Sequence, residues 1–255
     1  MMKKWLSILI STLLILCCFP VSASALTSVY TNHSQEYLNS KYYRQLSNVV
    51  LSGNGADDMV AIAYSQQGYH EGNSTADYGG GNTGGEGNYC EYNRNYWKSD
   101  VHGSNYAWCT IFVAWCARQA RQEAAVPGQG YVVHMYDKVI EAGGYEVAAD
   151  QVRGGDLVFY HRTSGPWPHV GIMVNATQCI EGNRKNQVML TTPGTYVYNS
   201  SESVARGNVK VVYVRPNYQG VIPPNDSTIR ISGETVPGDI KHGSKFGVRG
   251  IISSG

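Results

Sequence analysis

The run Trp108–Ala120 (WCTIFVAWCARQA) constrains the fold of this chain more than any other stretch. Its apolar residues recur at helical spacing on nearly every side, which predicts a helix buried all round rather than one lying on a surface. Such a helix needs cover from other elements, and the sequence supplies two kinds. Asp57–Gln67 and Val132–Ala142 have helical patterns, the first with Asp57 or Asp58 as its cap and Gly68 as its stop, the second ending at Gly143-Gly144. After Gly154-Gly155 the period becomes strand-like. Asp156–His161, His169–Val174, Gln178–Gly182, Gln187–Thr191 and Val209–Val214 are five short β segments separated by turn residues. Helices followed by a run of strands predict an α+β domain in which the central helix packs on an antiparallel sheet.

The flanks read differently. Lys3 and Lys4, the apolar stretch Trp5–Cys18 and the Ala23-Ser24-Ala25 motif have the order of a signal peptide, residues 1–25, with the mature chain starting near Leu26. The stretch is too short for a good membrane anchor, so a secreted protein without stable membrane insertion is expected. A lipoprotein signal is disfavoured because Leu16, not a small residue, precedes Cys17. Residues 26–54 form a leader with modest helical periodicity that packs on the main domain, residues 55–216. The stretch PNYQGVIPPND opens a linker, residues 217–227, and residues 228–255 look like the first strands of a separate β module, too few to bury a core.

Between the first two helices, residues 69–107 are rich in Gly, Asn and Tyr and have no period, which predicts a long loop. The chain has 19 Tyr against 4 Phe, and 29 Gly. That balance favours wet, loop-rich surfaces over a large dry core and hints at a polar, extended ligand. The formal net charge of +1 gives no basis for a nucleic-acid partner held through phosphates.

Beyond the signal segment the cysteines are Cys90, Cys109, Cys116 and Cys179. None stand as C-x-x-C, so no zinc site is predicted, and no other metal or cofactor is. The ordinary reading of secreted cysteines is two disulfides; if one thiol is a nucleophile, at most one disulfide is left. Cys109 opens the buried helix. There, unpaired backbone N–H groups and the helix dipole favour a thiolate, and the same N–H groups can hold an oxyanion. The plainer fate is that of a small buried hydrophobe, which is how Cys116, seven residues on, is read. His169 follows Pro168 and opens the strand HVGIMV, which suits a base at the sheet rim; His161 is its nearest competitor. In an extended strand Glu181 and Asn183 share one face, where a carboxylate can accept a hydrogen bond from the histidine ring and support its imidazolium.

The segments YAWCTIFVAWCARQA, GGDLVFYHR, PHVGIMV and IEGN, in this order within residues 55–216, resemble the CHAP family of cysteine amidases and peptidases, in the NlpC/P60 and papain-like group. The resemblance implies a papain-like fold with Cys109 as nucleophile, His169 as base, and Glu181 and Asn183 completing the polar set. It implies peptidoglycan as the partner, cut either as an N-acetylmuramoyl-L-alanine amidase or as a peptide endopeptidase, by a protein expected to be monomeric and to work at the cell wall. Tyr106, Trp108 and Trp167, beside the nucleophile and the base, are the candidates to line a substrate cleft. Many relatives carry G-Q-C where this chain has Ala107-Trp108-Cys109, so the calcium binding of some relatives is not implied. Residues 228–255 resemble the opening of β repeats in clostridial surface and cell-wall enzymes. The alternative is a non-catalytic wall-binding module that keeps the fold; the complete Cys, His, Glu and Asn set argues against it.

Overall fold

The computed structural model describes residues 26–162, 168–193 and 209–219. The predicted signal peptide, most of the linker, the β module and Trp167 lie outside the described residues. The helices are α1 (Gln35–Leu38), α2 (Lys41–Ser47), α3 (Gly55–Ser65), α4 (Glu91–Trp97), α5 (Cys109–Gln119) and α6 (Val132–Glu141). The strands are β1 (Tyr145–Val147), β2 (Leu157–Arg162), β3 (His169–Met173), β4 (Cys179–Arg184), β5 (Gln187–Thr191) and β6 (Val209–Arg215). They form one antiparallel sheet in the order β1-β6-β2-β3-β4-β5. The α+β class and the five longer strands agree with the sequence reading; α4 and the short β1 were not anticipated.

The central helix α5 is buried along its whole length except at Arg118. Leu157, Phe159, Val170, Ile172 and Ile180 join it in the main core, while Val158, Tyr160, Met173 and Cys179 cluster on the other face of the sheet. This is strand alternation read directly as two faces. The approach of α5 to β4 depends on Gly182: a Cβ there would lie 2.4 Å from the Cβ of Phe112, so any side chain would push the helix off the sheet.

The leader is part of this core rather than an attachment to it. Leu26, Tyr30, Tyr37, Tyr42 and Leu46 belong to the same apolar cluster as α5. A buried polar chain ties it down. Glu91, at the start of α4, accepts from Ser34 N (3.1 Å), Ser34 Oγ (2.8 Å), Asn95 Nδ2 (2.9 Å) and His33 Nδ1 (2.9 Å). His33 Nε2 in turn meets Ser28 Oγ at 2.7 Å. The Ser–His–Glu order resembles a hydrolytic relay. However, Ser28 Oγ already accepts from Gln119 Nε2 (2.8 Å) and Tyr30 N (3.2 Å). Its lone pairs are engaged, and the chain serves to fasten the leader to α4 and α5.

Two other expectations change. Asn54 caps α3 through Ala56 N, whereas Asp58 is buried and accepts from Ser52 N, Ser52 Oγ and Gly53 N, fixing the turn ahead of the helix. The tyrosines, read as surface residues, fill much of the core, and their hydroxyls find partners there. Tyr37 and Tyr92 both donate to Gln66 Oε1, Tyr42 to the Gly68 carbonyl and Tyr69 to the Tyr78 carbonyl. The long glycine-rich loop is anchored at the β5 edge by paired bonds between Gly68 or Tyr69 and Val188, and by Glu71 N to the Asn186 carbonyl. It therefore covers an otherwise open strand edge.

Candidate active site

Four buried cysteines, Cys90, Cys109, Cys116 and Cys179, are all free thiols, so none of the disulfides allowed by the sequence forms among them. Cys109 is 7% exposed while the other three are at 0%. By residue it is the least buried of the four. It opens α5, directly after Trp108, and the backbone N–H groups of Thr110, Val170 and Cys109 itself point at the sulfur. Val170 is the second residue of β3, so its N–H brings the start of that strand, and with it His169, against the helix N-terminus.

His169 pairs directly across from Tyr160 of β2, with the rings 5.7 Å apart. The two side chains therefore leave the sheet on one face. His161, one residue past Tyr160 in β2, leaves the sheet on the opposite face, so it does not share the surroundings of His169 and Tyr160. Glu181 of β4 is fully buried on the same face as His169, its Oε1 lying 3.8 Å from His169 Nε2. Tyr160 Oη donates to that same Oε1 at 2.6 Å, and Arg184 Nε lies 3.5 Å from Oε2. Gly171 makes the space: a Cβ there would lie 2.8 Å from Glu181 Cγ, blocking the route of the carboxylate towards the histidine.

Burial governs the protonation states. It pushes the Cys109 thiol up to about 11, raised further by the Glu181 charge and opposed by the three N–H groups. It also draws His169 down to about 4, with Glu181 pulling the other way and Arg184 adding to the fall. A resting thiolate was expected from the helix N-terminus. Instead, dehydration of the sulfur outweighs the N–H groups, and near pH 7 the pair is a thiol and a neutral imidazole.

Asn183 does not share its role with Glu181. A register shift between Glu181 and Arg184 and a left-handed backbone at Asn183 (φ 57°) turn its side chain away from His169. With its amide oriented to satisfy both neighbours, Asn183 Oδ1 accepts from Trp108 N at 3.1 Å and Nδ2 donates to Glu71 Oε2 at 3.3 Å. Trp108, expected in the substrate cleft, is completely buried among Tyr69, Tyr92 and Phe112, and its Nε1 donates to Glu71 Oε2 at 2.6 Å. It packs behind Cys109, out of reach of anything in solution. Tyr106 is half-buried, its ring 6.0 Å from that of exposed Trp97 and its carbonyl held by Asn93 Nδ2 at 2.8 Å.

Sequence reading missed Tyr160, Arg184 and Glu71. The pairing of Tyr160 with His169 follows from register, which sequence does not print. Glu71 is a lone carboxylate in a loop without period. Among the described residues no group of three or more His, Cys, Asp or Glu is arranged to hold a metal ion. Comparison with curated proteins gives no match. Comparison with family models matches residues 101–184 to the CHAP domain, a stretch running from the loop before α5 to the end of β4 and holding Cys109, His169, Glu181 and Asn183. CHAP domains are in general cysteine amidases or peptidases that act on peptidoglycan. Residues 101–184 thus resemble a CHAP domain, and the α+β fold, with its central helix on an antiparallel sheet, is consistent with that match.

Proposed function

We propose that this protein is a secreted cysteine hydrolase that cleaves amide bonds in peptidoglycan, with Cys109 as nucleophile, His169 as base and Glu181 orienting the imidazole. The observation that carries the reading is the meeting of α5 and the start of β3 at one sulfur, with β4 beside the histidine. The first turn of α5 and the Val170 N–H of β3 surround the Cys109 thiol, while Glu181 of β4 backs the histidine that precedes Val170. With Glu181 Oε1 on the Nε2 side of the ring, the proton exchange with the thiol is assigned to Nδ1.

From a neutral pair the chemistry starts by proton transfer. His169 takes the thiol proton as the sulfur attacks the amide carbonyl, and the imidazolium that forms is stabilised by the buried Glu181 carboxylate. The negative oxygen of the tetrahedral intermediate is met by the Cys109 N–H and by a donor from the loop near Tyr106. His169 then protonates the leaving amine, and the thioester is released by a water that His169 activates. Both an N-acetylmuramoyl-L-alanine amidase and a peptide endopeptidase fit these steps.

Digestion of purified sacculi by wild type and Cys109→Ala, with mass spectrometry of the released fragments, tests the reading. New termini at a muramoyl–alanine or peptide bond in the wild type alone are expected. Equal digestion by Cys109→Ala would remove the nucleophile, and binding without digestion by the wild type would favour a wall-binding module.

A further inference from the structure

The residue whose arrangement the mechanism does not yet use is Glu71. It comes from the glycine-rich loop, outside the stretch matched to the CHAP domain, yet it reaches the base of the nucleophile's helix. Its carboxylate is 1% exposed and is met from three sides. Trp108 Nε1 donates to Oε2 at 2.6 Å, Asn88 N donates to Oε1 at 2.9 Å, and Asn183 Nδ2 approaches Oε2 at 3.3 Å. A buried carboxylate is costly unless such donors satisfy it, and here the strongest of them belongs to the residue next to Cys109.

Trp108 is held at every polar atom it has. Its indole N–H goes to Glu71, its main-chain N–H to Asn183 Oδ1, and its carbonyl accepts from Phe112 N at 2.9 Å. The last bond fixes the peptide plane that joins Trp108 to Cys109. That plane carries the Cys109 N–H, which points at the sulfur and is a candidate oxyanion donor. Rotation of Trp108 about its main chain would swing this N–H away, and Glu71 and Asn183 are the two side chains that prevent it.

We infer that Glu71 is a positioning residue for the proposed hydrolysis: through Trp108, and together with Asn183, it fixes the peptide that aims the Cys109 N–H and sulfur. The inference rests on Cys109 being the nucleophile. It also gives the asparagine of IEGN a task distinct from that of the glutamate two residues earlier.

Hydrolysis of sacculi and the alkylation rate of Cys109 are measured for Glu71→Leu, Glu71→Gln, Trp108→Phe and the Glu71→Leu/Trp108→Phe double variant. Glu71→Gln keeps an acceptor for the indole and is expected to stay within a few-fold of wild type. Glu71→Leu and Trp108→Phe each break the bond and are expected to lower kcat by about 10²-fold with KM nearly unchanged, the scale on which small misplacements act. The double variant is expected to lose no more than either single one. Wild-type kcat in Trp108→Phe, or losses that multiply in the double variant, would overturn the inference. Should Glu71→Leu fail to fold, Trp108→Phe and Glu71→Gln decide alone, because the Phe ring keeps the packing. Activity retained in Cys109→Ala would instead overturn the reading beneath it, a result separable from all of these.

Discussion

The buried imidazole of His169 gives the protein an acid liability that can be measured without any substrate. Burial draws this histidine from its ordinary 6.5 down to about 4, against the pull of Glu181. The unfolded chain therefore binds a proton between pH 6.5 and 4 that the folded chain refuses, and stability must fall as the pH falls through that window. At about 1.4 kcal/mol per pH unit, the full drop is about 3 kcal/mol, a large share of the 5–15 kcal/mol typical of a domain. Urea unfolding of wild type and His169→Gln at pH 7.5, 6.0, 5.0 and 4.0 isolates the effect, since glutamine takes no proton. Other groups titrate in the same range. Glu71, raised by its own burial, contributes with the opposite sign, but it does so equally in both proteins. The wild type is expected to lose about 3 kcal/mol more than His169→Gln on going to pH 4, a midpoint difference of roughly 1–2 M urea. Parallel loss in the two proteins would refute the claim that this imidazole is buried and neutral.

Three further outcomes are expected. With its thiol pushed up to about 11, Cys109 should react with iodoacetamide at a rate that still climbs above pH 8; a plateau near pH 6 would mean a resting thiolate instead. Gly171→Ala and Gly182→Ala should separate function from stability. The first crowds Glu181 Cγ at 2.8 Å and should cut hydrolysis more than it lowers Tm, whereas the second crowds Phe112 at 2.4 Å and should cost about 1–3 kcal/mol in denaturant unfolding. Equal Tm values for the two variants would count against that division. Glu91→Ala leaves His33, Ser34 and Asn95 without their shared acceptor and should cost about 3–5 kcal/mol, with proteolysis beginning in the leader. Unchanged Tm would show that the leader is held by apolar contacts alone.

The fold was legible where one period dominates a stretch. Trp108–Ala120 could only be a buried helix, and the Gly-Gly punctuated strands from Asp156 onward could only be a sheet against it. The depth to which the leader is buried and the order within the glycine-rich loop were missed for a common reason. Much of their hydrophobic content is tyrosine, and a tyrosine counts as polar or apolar according to whether its hydroxyl finds a partner inside. Gln66 supplies such a partner to both Tyr37 and Tyr92, and neither the sequence near Gln66 nor that near the tyrosines signals the meeting. The seven-residue α4 was missed because its start cap is Cys90, whose sulfur faces the Asn93 N–H, in place of the usual Ser, Thr, Asp or Asn.

At the site, one expected direction changed. Glu181 and Asn183, two apart, share a face in any regular strand, and that inference failed through a single backbone event, the left-handed turn at Asn183 after the register shift. The consequence is a division of labour. Glu181 lies beside His169 while Asn183 meets the main chain of Trp108, so on the proposed reading the β4–β5 corner touches both halves of the chemistry. The glycine between them is needed for a third purpose, letting Phe112 of α5 lie against the strand. A change at Gly182 should therefore move the nucleophile's helix and the base's carboxylate relative to each other. On the proposed reading, the segment IEGN is a joint between α5 and the carboxylate beside His169, and more than two letters separated by a spacer.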